Sequence, residues 1–219
     1  MDINQYIEHT ALKPTLVGKD VDLLIAEAKE HRFLGVCVPP FWVKKTAREL
    51  ADTDIQLVTV IGFPLGYNQT EVKELEIKQA IEQGANELDI VMNISAFKDG
   101  MPWVKIELAK CAHIIHEAGC LMKVIIETAY LTDEEIIKAT KLCSEAGTDF
   151  VKTSTGFAGA GAKVEHIKLM RENAPSNVGI KASGGIKTLA DAQAMINAGA
   201  DRLGTSSGVE IMQQYADSI

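Results

Sequence analysis

A single (β/α)8 (TIM) barrel is the fold class this sequence predicts, an α/β architecture occupying residues 1–219 as one domain. Three observations predict it. Short apolar segments recur along the whole chain about 22 to 35 residues apart, close to the length of one strand–helix unit. Longer stretches with helical periodicity and charge lie between them, and such alternation predicts a mostly parallel sheet with helices outside it. No linker, low-complexity tract or charge block marks a second domain.

Taken in order, residues 8–12 form the first strand, ahead of the first clear helix over 19–32. The apolar runs at 35–38, 57–63, 88–93, 122–127, 150–154, 179–183 and 203–206 supply seven more strands, and the clearest helices between them fall at 72–83, 105–118 and 133–146. Three helix-to-strand junctions share a phrase: Gly84-Ala85-Asn86-Glu87-Leu88, Gly147-Thr148-Asp149-Phe150-Val151 and Gly199-Ala200-Asp201-Arg202-Leu203. Each glycine stands where a helix needs a left-handed cap. The shared phase also makes Asp89, Lys152 and Gly204 equivalent strand positions, each five residues after its glycine. The main rival, a doubly wound open sheet, lacks its Gly-x-Gly-x-x-Gly fingerprint after the first strand.

Composition narrows the function. The 22 Lys+Arg against 30 Asp+Glu leave a net charge of −8, which argues against a surface built to neutralise nucleic-acid phosphates. No apolar run approaches the roughly 18 to 20 residues needed to span a bilayer. The start, Met1-Asp2-Ile3-Asn4-Gln5, has no basic or apolar leader region, so a cytoplasmic location is expected. Cys37, in a strand, and Cys111, Cys120 and Cys143, in helical stretches, form no Cys-x-x-Cys pair and read as small buried hydrophobes. His113 and His116 lack the order of a helical zinc motif, and no metal site is expected. Trp42 and Trp103 fit an interface or ordinary core packing.

Strands buried on both faces should be nearly continuous Val/Ile/Leu runs, so their charged members are informative. Four segments break the rule: Glu87-Leu88-Asp89-Ile90-Val91, Lys123-Val124-Ile125-Ile126-Glu127, Phe150-Val151-Lys152-Thr153-Ser154 and Ile180-Lys181-Ala182-Ser183-Gly184. Lys152 and Lys181 stand on consecutive strands, about 4.8 Å apart in the sheet direction and near the strand ends where barrel enzymes hold their sites. Two converging ammonium groups disfavour each other's charge, so at least one is expected to titrate toward neutrality and act as a nucleophile on carbonyls. The other reading is that the lysines salt-bridge Asp89 or Glu127. Past the late strands, Ser154-Thr155-Gly156, Ser183-Gly184-Gly185 and Gly204-Thr205-Ser206-Ser207-Gly208 offer backbone N–H groups and hydroxyls suited to an oxyanion or phosphate. A short helix at 209–215 would complete such a site.

These residues resemble the deoxyribose-phosphate aldolase family of class I aldolases, which are (β/α)8 barrels. The resemblance runs from Ile7-Glu8-His9-Thr10-Ala11-Leu12-Lys13-Pro14 to Gly204-Thr205-Ser206-Ser207. Its most specific blocks are Glu87 to Asn93, Lys123 to Thr128, Val151 to Phe157 and Ile180 to Ile186. It implies that Lys152 is the Schiff-base lysine, with Lys181 and Asp89 in proton transfer. Gly156, Gly184, Gly185, Gly204, Ser206 and Ser207 would surround the substrate phosphate. The implied reaction is reversible cleavage of 2-deoxy-D-ribose 5-phosphate to D-glyceraldehyde 3-phosphate and acetaldehyde, without metal or cofactor, by an enzyme often found as a homodimer. One departure is Glu8, where the family usually has Asp; no substrate role is assigned to it, nor to Tyr215. A related barrel aldolase on another phosphorylated sugar and a non-catalytic phosphate-binding barrel are the competing expectations.

Overall fold

The structure, a computed structural model, describes residues 2–218. Eight parallel strands close a barrel in chain order: β1 (Ile7–Thr10), β2 (Gly35–Val38), β3 (Gln56–Ile61), β4 (Glu87–Val91), β5 (Leu121–Ile125), β6 (Phe150–Lys152), β7 (Gly179–Ser183) and β8 (Arg202–Thr205), which pairs back onto β1. The helices α1 (Gly18–His31), α2 (Val43–Leu50), α3 (Thr70–Glu82), α4 (Ile94–Lys98), α5 (Trp103–Glu117), α6 (Asp133–Glu145), α7 (Val164–Asn173), α8 (Leu189–Asn197) and α9 (Gly208–Asp217) alternate with them. The predicted barrel is the observed one. No helix among the described residues is long and apolar enough to cross a membrane.

The shared junction phrase does more than cap helices. Gly84, Gly147 and Gly199 take φ of 102°, 91° and 108°, as a left-handed cap requires. Two residues on, Asn86, Asp149 and Asp201 each reach the strand before their helix and accept one of its backbone N–H groups: Leu57 at 2.9 Å, Met122 at 2.7 Å and Ile180 at 2.8 Å. The phrase thereby ties strand to strand at the N-terminal end of the barrel. Helix starts are equally explicit, with capping boxes at Thr132/Glu135 and Thr188/Asp191.

Several strands end earlier than the apolar pattern predicts. After β3 the chain turns left-handed at Gly62 (φ 61°), and after β5 Glu127 does so at φ 51°. An extended strand cannot pass through that conformation, so the strand expected to include Glu127 stops at Ile125. Likewise Arg32, expected inside the first helix, is its left-handed C-cap at φ 52°. Cys120, expected in a helix, lies just before β5, whereas Cys37, Cys111 and Cys143 are buried. Trp42 packs against the core; Trp103 is 61% exposed.

Between the barrel and its outer layer, the buried Lys73 of α3 donates to Glu107 of α5 (2.6 Å) and to the Val91 carbonyl (3.0 Å), and Thr70 donates to the other Glu107 oxygen (3.0 Å). This satisfied pair fixes the C-terminal end of β4, two residues beyond Asp89.

Candidate active site

The charged residues of the strands converge inside the barrel. Asp89 of β4 accepts from three lysines: Lys152 of β6 at 2.8 Å, Lys181 of β7 at 2.7 Å and Lys123 of β5 at 3.1 Å. Register explains the meeting, because Asp89 is paired with Lys123, and Lys152 with Lys181, on adjacent strands. Lys181 also hydrogen-bonds Glu8 of β1, and Lys123 contacts Glu87 and lies 3.6 Å from Glu8. Room for Lys181 comes from Gly204, where an added Cβ would stand 3.2 Å from the Lys181 Cε.

Burial and charge compete over these groups. Burial by itself would raise the Asp89 pKa, but Lys123, Lys152 and Lys181 together hold it well below the usual carboxylate range. Glu8 is lowered too, with burial outweighed by Lys123 and Lys181. For Lys181, burial pulls downward while Asp89 and Glu8 push it above the ordinary lysine value, and Lys123 is raised by the same two carboxylates. The like-charge argument therefore fails at Lys181, because carboxylates stand between the ammonium groups, an arrangement that needs the β1–β8 closure to be known. Lys181 is an ammonium beside a carboxylate.

Above this cluster, at the C-terminal mouth, opens a cavity of about 730 Å³ whose lining includes Lys152, Gly156, Gly184, Gly185, Gly204 and Ser206. Asp89 and Lys181 lie beneath it, fully buried, and Ser207 is set back as the N-cap of α9. Glu8 is also wholly buried and away from the cavity wall, in contact with Lys181.

Two loops of the mouth are built alike. Thr155 Oγ1 accepts the Phe157 N–H (3.0 Å), while Thr205 Oγ1 accepts the Ser207 N–H (2.9 Å). In the first loop Glu127 Oε2 accepts both the Thr155 N–H (3.0 Å) and its hydroxyl (2.5 Å); in the second, Thr205 donates to the Ile186 carbonyl (2.7 Å). The N–H groups on either side of Gly156 are thus consumed within the loop. Among the described residues no acceptor takes the N–H of Gly156, nor that of Ser206, the middle residue of the matching turn. The N-terminus of α9 follows the second turn directly.

Sequence reasoning had named Asp89, Lys152, Lys181 and the loop residues, but not Lys123, Glu8 or Glu127 as parts of the site. For Lys123 the signal existed, an ion in an apolar strand, yet its partner on β4 is fixed only by register. Of the two salt-bridge partners that the alternative reading offered the lysines, Asp89 holds both, whereas Glu127 clamps Thr155.

Comparison with known proteins agrees with this fold. The sequence profile described as DeoC/LacD family aldolase matches residues 3–214. The deoxyribose-phosphate aldolase of Thermococcus gammatolerans is 51% identical over 216 residues, covering 97% of this chain and 96% of the relative. That of Brevibacillus brevis is 51% identical over 214 residues with the same coverage. Among solved structures, the deoxyribose phosphate aldolase from Aeropyrum pernix, described as tetrameric, superposes with a TM-score of 0.92 at 32% identity, covering 99% of this chain and 92% of its own. With its closed barrel, its lysine–carboxylate centre and relatives matched over nearly their whole length, the chain belongs to the DeoC/LacD family of aldolases.

Proposed function

We propose that this protein is a Schiff-base aldolase that reversibly cleaves 2-deoxy-D-ribose 5-phosphate to D-glyceraldehyde 3-phosphate and acetaldehyde, with residues 1–219 acting as one domain. The observation that carries the reading is the Lys152 ammonium or amine at the cavity wall, 2.8 Å from an Asp89 carboxylate that also holds Lys181. Free N–H groups of Gly156 and Ser206 at the same mouth suit the phosphate at the other end of the sugar.

In the cleavage direction the Lys152 amine adds to the C1 aldehyde, and the carbinolamine loses water to give an iminium. Lys181, as the ammonium, supplies the proton that the departing hydroxyl needs; Asp89, in contact with both lysines, relays it through a bound water. The C3 hydroxyl then gives its proton back by the same relay to the Lys181 amine, the C2–C3 bond breaks, and its electron pair flows to the iminium nitrogen to form the enamine. D-glyceraldehyde 3-phosphate leaves. Protonation at C2 and hydrolysis of the iminium release acetaldehyde and return the amine. The iminium is the electrophile throughout, so the sequence of steps calls for no metal.

A cytoplasmic setting, which keeps its four free cysteines reduced, fits this reading, as does a homodimer by likeness to the family. The test is turnover: acetaldehyde release from 2-deoxyribose 5-phosphate, set against release of the corresponding aldehyde from fructose phosphates. Preference for deoxyribose 5-phosphate is expected. Faster cleavage of a ketose phosphate would assign another sugar, and cleavage of neither would leave a phosphate-binding barrel.

A further inference from the structure

The ion pairs continue past the substrate side of the barrel. From Lys152 at the cavity, contacts run through Asp89 (2.8 Å), Lys123 (3.1 Å) and Glu87 to Arg202, whose Nη2 lies 3.8 Å from Glu87. Glu87 opens β4 and Arg202 opens β8, so both stand at the barrel end opposite the cavity. The Arg202 side chain is 17% exposed there, with its guanidinium 5.3 Å from the Phe150 ring centroid.

The charges of this column do not cancel. Lys123, Lys152, Lys181 and Arg202 face Glu8, Glu87 and Asp89, four positive groups against three negative ones. A net buried charge is costly, and it disappears when one cation gives up its proton. Arg202 cannot do so. Lys181 touches two carboxylates, Glu8 and Asp89, and Lys123 touches Asp89 and Glu87, whereas Lys152 touches only Asp89. Lys152 is therefore the lysine of the column held by the fewest carboxylates. Inside the barrel it also neighbours Cys37 of β2, whose thiol burial pushes up to about 11, and past the end of β5 stands the buried Glu127, held by Thr155. The cavity also carries Lys13, Lys187, Asp20 and the His9–Glu27 pair (2.8 Å).

We infer that Arg202 and Glu87, at the end of the barrel away from the substrate, are positioning residues whose opposite charges set the pH at which Lys152 becomes a nucleophile. The inference rests on the reading of Lys152 as the Schiff-base lysine. The strands that carry Arg202 and Lys152 lie about 10 Å apart, and a unit charge at a distance of that order in an effective dielectric of about 20 moves a titration by about one pH unit. Loss of Arg202 leaves the column neutral with Lys152 protonated and negative without its proton, so the amine appears at higher pH. Loss of the Glu87 charge adds one positive charge, so the amine appears at lower pH.

The test measures the rate of cyanoborohydride trapping of acetaldehyde on the intact protein from about pH 5 to about pH 10, locating the half-maximal point. Arg202→Met is expected to move that point up by about one unit, and Glu87→Gln to move it down by about one unit. Arg202→Lys should leave it in place, and Glu87→Gln with Arg202→Met, which restores the charge balance, should return it to the parent value. If either single variant fails to fold by circular dichroism, the other and the charge-balanced double variant still carry the sign. Half-maximal points that stay fixed, or that move in the same direction for both variants, overturn the inference. Absence of any trapping in the parent protein at every pH overturns the function proposed above instead.

Discussion

Glu127 adopts a left-handed conformation that a non-glycine residue enters at a cost of order 1–3 kcal/mol, and the hydrogen bonds from Thr155 account for its being there. Its carboxylate holds the turn that leaves the Gly156 N–H facing outward. Thr155→Val removes both the hydroxyl held by Glu127 and the acceptor for Phe157, freeing the turn to rotate. KM for the phosphorylated substrate should rise about tenfold, the equivalent of about 1.4 kcal/mol, with kcat much less affected, and Thr155→Ser should behave nearly as the parent. Equal losses in kcat and KM for both variants would contradict the assignment. At this scale the sequence was most legible where a residue type clashed with its surroundings: Asp89, Lys152 and Lys181 stood out as ions in apolar strands. It was least legible where the meaning lay in a partner. Glu8 and Lys123 acquire theirs from β8–β1 closure and from β4–β5 register, which no local pattern reports.

The strands and the longer helices were readable from local rules, apolar runs bounded by glycine and apolar periodicity with charge between them, while the capping boxes at the starts of α6 and α8 went unread. Their ends were less so, since a left-handed Glu127 has no compositional signature. The recurring Gly-x-Asn/Asp phrase was seen, but only its glycine was explained. The acidic or amide residue satisfies an N–H of the preceding strand in the barrel order. Asp201→Ala should cost about 1–3 kcal/mol of unfolding free energy through the orphaned Ile180 N–H, whereas Asp201→Asn should retain most of the stability. Denaturant titrations in which both variants match the parent would show that the junction contributes only its glycine.

For the whole molecule, a chain with net charge −8 still gathers three lysines, Lys123, Lys152 and Lys181, inside the barrel beneath the cavity. The same concentration of charge governs stability against pH. Glu8 and Asp89 have folded pKa values below their ordinary 4.5 and 3.8, so their contribution is complete above those values and is lost as the pH falls toward the folded ones. Lys123 and Lys181, raised above 10.5, contribute fully below that value and lose their contribution as the pH climbs past it. Thermal melts should therefore hold a plateau between these limits and fall on both sides, with the acid fall shallower in Asp89→Asn; an unchanged acid slope in that variant would remove Asp89 from the account. The central claim, that Lys152 forms the imine, is tested most directly by borohydride reduction in the presence of acetaldehyde followed by peptide mass spectrometry. The account predicts one stable ethyl adduct, carried by Lys152 and absent from Lys152→Ala; no adduct, or an adduct on Lys181 or Lys123 in the parent protein, would contradict it.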